Sequence, residues 1–153
     1  MDLRTIYGIT SPQPNQYMIV VLHAESKFIR FTQKFDNKKV IVERLFVVAR
    51  ALRAIHNANY VYTELSEKSI LLTDCNEVYL DVMNVCKSID AENNQSSNVH
   101  SFGTILNKFL VKFNDERMLE LIHKCLLNDE RLRPSIYNVV NDLQNIHNSY
   151  DSD

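Results

Sequence analysis

Glycine is scarce in this 153-residue chain, occurring only at Gly8 and Gly103. A loop that cradles phosphates needs several glycines, because only they let the backbone come so close to an anion. No such loop can be drawn, and no nucleotide cofactor is expected. Cysteine is also sparse: Cys75, Cys86 and Cys125 are scattered and odd in number, which suits neither a disulfide framework nor a zinc pattern and predicts a reducing, intracellular, cytoplasmic setting. Long apolar runs are missing. The run at 18–22 is far too short to span a bilayer, and no apolar run follows Met1, Asp2, Leu3 and Arg4, so no secretory leader is expected. A net charge of −2 gives no general attraction to nucleic acid or anionic lipid. The five histidines, His23, His56, His100, His123 and His147, fall on different predicted elements without zincin spacing, so no metal site is expected.

The hydrophobic share of 45% and charged share of 24% predict one globular domain with a true core. Residues 6–9 and 17–22 read as two short strands, with Pro12, Pro14 and Asn15 punctuating the loop between them. Such a hairpin is marginal alone and needs cover from the helical body or from another chain. Residues 27–35 set Phe28, Phe31 and Phe35 at helical spacing, with Lys27, Arg30 and Lys34 between. The aromatics read as core and the charges as a solvated face, which speaks against a nucleic-acid surface.

Residues 40–57 carry the clearest helical stripe: Ile41, Leu45, Val48, Leu52 and Ile55, with Glu43, Arg44, Arg50 and Arg53 off it. Asp36 or Asn37 can cap it, and His56 lies at its end, where the helix dipole favours a cation. Residues 69–73 and 77–82 read as a hairpin turning at 74–76. A polar connection over 86–98 then ends in an N-cap. Phe102, Ile105, Leu106, Phe109 and Leu110 make the next helix apolar over much of its circumference, with Gly103 implying close packing. Met118, Leu121, Ile122 and Cys125 share a face of a further helix, and Ile136, Val139, Val140, Leu143 and Ile146 form the last. Pro134 suits that helix's first position, and the tail at 148–153 is expected to fray.

Residues 59–72, N-Y-V-Y-T-E-L-S-E-K-S-I-L-L, resemble the catalytic loop of a eukaryotic protein kinase, V-H-R-D-L-K-x-x-N-I-L-L. The frame is kept at Val61, Leu65, Ile70, Leu71 and Leu72. Around it, I-Y-G-I-T followed by Y-M-I-V resembles the last two N-lobe strands of the tyrosine-kinase-like branch, with residues 23–25 as hinge. Asn98-Val99-His100-Ser101-Phe102-Gly103 resembles D-V-x-S-F-G, and residues 129–135 resemble D-x-x-x-R-P-S. The resemblance implies a mainly α fold with small β-hairpins, a protein kinase-like C-lobe of about five helices that lacks most of the N-lobe. Its parts would be a remnant strand pair and hinge at 1–25, the C-lobe at 26–147 and a disordered tail at 148–153.

The resemblance also locates the losses. Tyr62, Thr63 and Glu64 stand where the family has His, Arg and the catalytic Asp. Ser66 replaces its Lys and Ser69 its metal-binding Asn. At the usual separation from Ser69 the D-F-G positions read Val82, Met83 and Asn84, with Asp81 one residue earlier. Asn98 replaces the Asp that tethers the loop. Arg133 has lost the carboxylate partner it has in the family and is expected to use Asp129 or stay solvated. Phosphoryl transfer depends on clamped, metal-bridged phosphates and a positioned base. The resemblance therefore implies a catalytically inactive pseudokinase domain that binds a protein, a protein kinase being one candidate, by mimicry. Tyr17, Ile19, Val21 and His23 are the candidate interaction residues. No nucleic acid and no membrane are expected as partners. The alternatives are residual ATP-dependent kinase activity using Glu64 and Asp81, or a decayed kinase fragment without function.

Overall fold

The computed structural model describes residues 5–13, 16–22, 29–30, 37–72, 77–81, 85–86 and 94–152. Its first elements are an antiparallel hairpin, β1 (Thr5–Gln13) and β2 (Gln16–Leu22). Both expected strands are present, and β1 is longer than predicted because it runs on through Pro12. The ladder is irregular there, between Thr10 and Gln13, and again between Ile6 and Gly8. Proline has no N–H to give a ladder, so a strand tolerates it at such an irregularity.

Within the stretch 27–35, where the spacing predicts a helix, Ile29–Arg30 form a short strand, β3; the rest of that stretch, with its three phenylalanines, lies outside the described residues. Four α-helices, not five, are present among the described residues: α1 (Lys38–Asn57), α2 (Gln95–Leu110), α3 (Glu116–Cys125) and α4 (Ile136–Ser149). Between α1 and α2 lie β4 (Val61–Tyr62), β5 (Ile70–Leu72), β6 (Val78–Leu80) and β7 (Val85–Cys86). β5 is flanked by β3 and β6, and β4 pairs with β7, all antiparallel. Ile29 sits opposite Leu72: pairing with a distant strand outweighs a local helical spacing only a few residues long.

Helix α1 starts where Asn37 Oδ1 accepts the Val40 N–H at 3.2 Å. It ends in a Schellman closure, with Asn59 N donating to His56 O and Tyr60 N to Ile55 O, both at 3.0 Å. Asn59 takes the left-handed conformation this needs, at φ 62°, and asparagine is among the few residues that visit it readily. The predicted stripe is buried, and Val42, Ala49 and His56 widen it, because α1 packs against α4, α2 and β6 together.

Helix α2 is the centre of the core. Phe102 and Leu106 are fully buried, and Ile105 and Leu110 nearly so; each such side chain contributes roughly 1.5–3 kcal/mol when removed from water. A Cβ on Gly103 would lie 2.6 Å from Cys125 Cβ, inside contact distance, so the glycine is what lets α2 and α3 meet. The start of α2 corrects the sequence reading. Its N-cap is Asn94, whose Oδ1 accepts from Ser97 N at 2.8 Å while Ser97 Oγ accepts from Asn94 N at 2.9 Å. Asn98 is therefore inside the helix and not at its entrance. Helix α4 is capped by Ser135, which puts Pro134 before the helix instead of at its first position.

The tail also departs from expectation. Asn148 and Ser149 belong to α4, and Tyr150 Oη donates to Asp115 Oδ2 at 2.8 Å. Packing against the start of α3 holds what residue type alone leaves to fray. No helix among the described residues is long and apolar enough to cross a membrane.

Candidate functional site in the loop after the first long helix

The loop between β4 and β5 is fixed from three sides. From below, Asn98 of α2, 2% exposed, grips the backbone of Tyr62. Its Oδ1 accepts the Tyr62 N–H at 2.8 Å, and its Nδ2 donates to Tyr62 O at 2.6 Å. A backbone N–H can only donate and a carbonyl only accept, so these two contacts fix which way the Asn98 amide points. His56 Nε2, 2.9 Å from the same Oδ1, must then be the donor, so the imidazole carries a proton on Nε2. Its Nδ1 is buried without a hydrogen-bond partner among the described residues.

Burial lowers the pKa of His56, and the hydrogen bond to Asn98 only partly opposes this. The expectation that the end of α1 would suit a charged His56 is therefore corrected. Desolvation outweighs the helix dipole once the ring is buried. The carbonyl of His56 is used as well, accepting from Gln95 Nε2 at 3.2 Å.

On the second side the loop closes on itself. Ser66 caps a single 3-10 turn at Glu67–Ser69: its Oγ accepts from Lys68 N at 3.3 Å, and Ser69 Oγ accepts from Ser66 N at 3.2 Å. This is a reciprocal capping box. Lys108 of α2 reaches the turn through an ion pair with Glu67. On the third side the hairpin strand that follows is tied in. Asp81 N donates to Ser69 O at 2.8 Å, and the Tyr62 hydroxyl donates to Asp81 O. Tyr62 is 2% exposed. Burial, and after it the Asp81 charge, push its phenol up to about 12 despite a hydrogen bond with Ser69, so it stays protonated and able to donate at physiological pH.

Glu64 lies at the crest of this loop, exposed, with φ at 56°. Of the three non-glycine residues with positive φ among the described residues, Asn59 and Asn114 close helical turns. Glu64 has no such excuse, and a residue of its kind pays about 1–2 kcal/mol for that conformation. The surrounding anchors at Tyr62 and at Ser66 impose it.

The structure thus brings Tyr62, Ser66, Ser69 and Asp81 together in one hydrogen-bonded joint, with Thr63 half-buried beside them and Glu64 outside. Val82, Met83, Asn84 and His23 lie outside the described residues. Tyr17, Ile19 and Val21 fall on β2, away from this loop in sequence and in sheet. Arg133 departs from its predicted partner: it donates to main-chain oxygens of Leu127 at 2.6 Å, Ser96 at 3.3 Å and Asn128 at 3.3 Å. Asp129 pairs with Arg131 instead. A planar guanidinium satisfies several carbonyls at once, so Arg133 ties α2 to the α3–α4 connection.

Two partners were not legible from residue type: His56, which braces Asn98 from α1, and Gln95, which ties α2 to the His56 carbonyl. No group of three or more His, Cys, Asp or Glu among the described residues could hold a metal ion. No protein-family model matches the chain, and no curated protein matches its sequence.

Proposed function

We propose that this chain is a protein-interaction module, a pseudokinase-like C-lobe whose catalytic loop has become a structural joint. The observation that carries this reading is the inward closure of the loop. Asn98 holds both backbone groups of Tyr62, and Ser66 and Ser69 cap each other. In the resemblance Glu64, which lies exposed outside the joint, takes the proton-transfer position, whereas Ser66 and Ser69 take those of the Lys and the metal-binding Asn. Here the two serine hydroxyls serve the loop's own backbone. Phosphoryl transfer requires electrostatic clamps aimed outward at bound phosphates, and hydroxyls turned inward offer none.

The kinase-like scaffold is supported by the order of elements, a long helix, loop, hairpin, buried helix and two further helices, and by the tether from position 98 to the loop. The partner is a protein, and a kinase or kinase-bound protein is the class the resemblance favours. The test is affinity capture of the tagged chain from its native lysate, with bound proteins identified by mass spectrometry. Recovery of a kinase or a kinase-bound protein is expected; recovery of nothing specific overturns the reading. Calorimetry with ATP and magnesium is the companion measurement, with no binding expected. Binding that Asp81→Ala abolishes would put the residual-enzyme reading, with Glu64 and Asp81, in its place.

A further inference from the structure

The β1–β2 hairpin has two unlike edges. β1 lies beside β6 and α1, carries Pro12 and Gly8, and is irregular at two places along its ladder. Prolines and bulges are the usual devices that stop an edge from recruiting a further strand. β2 has none of them. Its seven residues, Q-Y-M-I-V-V-L, contain no charge, proline or glycine, and among the described residues no third strand pairs with it. A regular edge presents alternate unpaired N–H and C=O groups, a template for strand addition.

We propose that β2 pairs edge to edge, antiparallel, with β2 of a second copy of this chain, joining two hairpins into one four-stranded sheet. Self-pairing about a twofold axis requires a self-complementary strand, and β2 is one. A register centred on Ile19 sets Gln16 opposite Leu22, Tyr17 opposite Val21 and Met18 opposite Val20. Every opposed pair is neutral, and aromatic, β-branched and other apolar residues dominate, the combinations that favour cross-strand contact. A charged strand from another protein would find no counter-charge on β2. The chain's net charge of −2 sets little repulsion between copies. Two seven-residue strands bury less than the roughly 1,200 Å² of a stable interface, so the dimer is weak and dissociates on dilution. This goes beyond the interaction-module reading and stands whether or not a kinase is captured.

The test is sedimentation velocity on the full chain across a series reaching the millimolar range, with hydrogen exchange read on the β2 amides at both ends of the series. Reversible dimerisation is expected, with β2 protection rising alongside it. Ile19→Lys places two lysines against each other at the twofold and is expected to leave a monomer whose helical circular dichroism is unchanged. Ile19→Cys, oxidised at high concentration, is expected to give a disulfide between position 19 of two chains, identified by mass spectrometry of the linked peptide. A monomer at every concentration overturns the proposal. So does a dimer that survives Ile19→Lys without the position-19 cross-link, since another surface then joins the copies. Protection of β2 that ignores concentration overturns it too, because the chain would be covering its own edge.

Discussion

Two polar clusters hold this fold together, and they are built on opposite principles. Around Asn98 every group is neutral and buried: an amide, an imidazole and a peptide unit, with Asn98 and His56 at 2% and 4% exposure. Around Asp115 the groups are charged and nearer the surface. Its carboxylate caps α3 through Met118 N at 3.3 Å and accepts from Lys38 at 3.1 Å and from Tyr150. Lys38 also lies 4.4 Å from the centroid of the Tyr150 ring. A buried charge must recover a large desolvation cost from its partners, while a buried neutral group must only keep its hydrogen bonds. The deep cluster is accordingly neutral, and the ionic one sits where Lys38 still touches water.

The sharpest way to break the comparison is at Asn98. Asn98→Ala leaves the Tyr62 N–H and C=O buried without their partner, and is expected to cost about 2–4 kcal/mol in chemical denaturation. The loss should not depend on salt. Asn98→Asp is more informative: a carboxylate can accept from Tyr62 N and His56 but cannot donate to Tyr62 O. It should destabilise the fold and raise the pKa of His56, which NMR titration of the ring would read.

A purely apolar control is Gly103→Ala, whose new Cβ meets Cys125 Cβ at 2.6 Å. Overpacking of this kind costs about 1–3 kcal/mol, with neither a salt nor a pH signature. Recovery of stability in the double variant with Cys125→Gly would locate the clash.

Asp115→Asn should cost less, on the order of 1 kcal/mol, since a partly exposed pair is screened by solvent, and the loss should shrink as salt rises. Burial alone would raise the Asp115 carboxyl, but the hydrogen bonds from Tyr150, Lys38 and Met118 N, with the Lys38 charge, hold it below its ordinary value. Its contribution is therefore complete above the unfolded carboxylate pKa, 3.8, and is lost as pH falls through the depressed folded value.

The smallest effect at neutral pH belongs to His56. Its folded pKa lies below the unfolded 6.5, so the unfolded chain binds the proton first. Stability is full above 6.5 and declines as pH drops from there towards the folded value. His56→Gln should flatten that segment of the stability curve and leave the Asp115 segment at lower pH untouched. Acid thus weakens both clusters, but in separate windows, and melting curves across pH would resolve them.

Much of the helical body was legible because its signals are local and repeated. Five stripe positions on α1 and the apolar spread of α2 each report the same buried face. The hairpin of β5 and β6 was legible from two apolar runs and a polar turn. The β4–β7 pair was not, since two-residue strands carry no period at all. Position 98 was legible as a tether only through the family likeness, while its register within α2 was misjudged. Asn94 and Asn98 are equally good caps by residue type, and Ser97 decides between them. Arg133 was expected on Asp129 or in solvent because sequence shows only the nearby carboxylate, whereas folding brings the carbonyl of Ser96 within reach.

The sequence by itself determined where this chain is apolar, where most of its helical stripes run, and that residues 62–69 are mostly polar. The tertiary structure decided what those polar side chains do. Three contacts that join residues far apart in the chain, His56 to Asn98, Asn98 to Tyr62 and Tyr62 to Asp81, turn a loop of polar residues into a closed joint. Hydrogen bonds need their partners within about 3 Å, and no periodicity along the chain encodes a distance between elements that meet only when the core between them has formed.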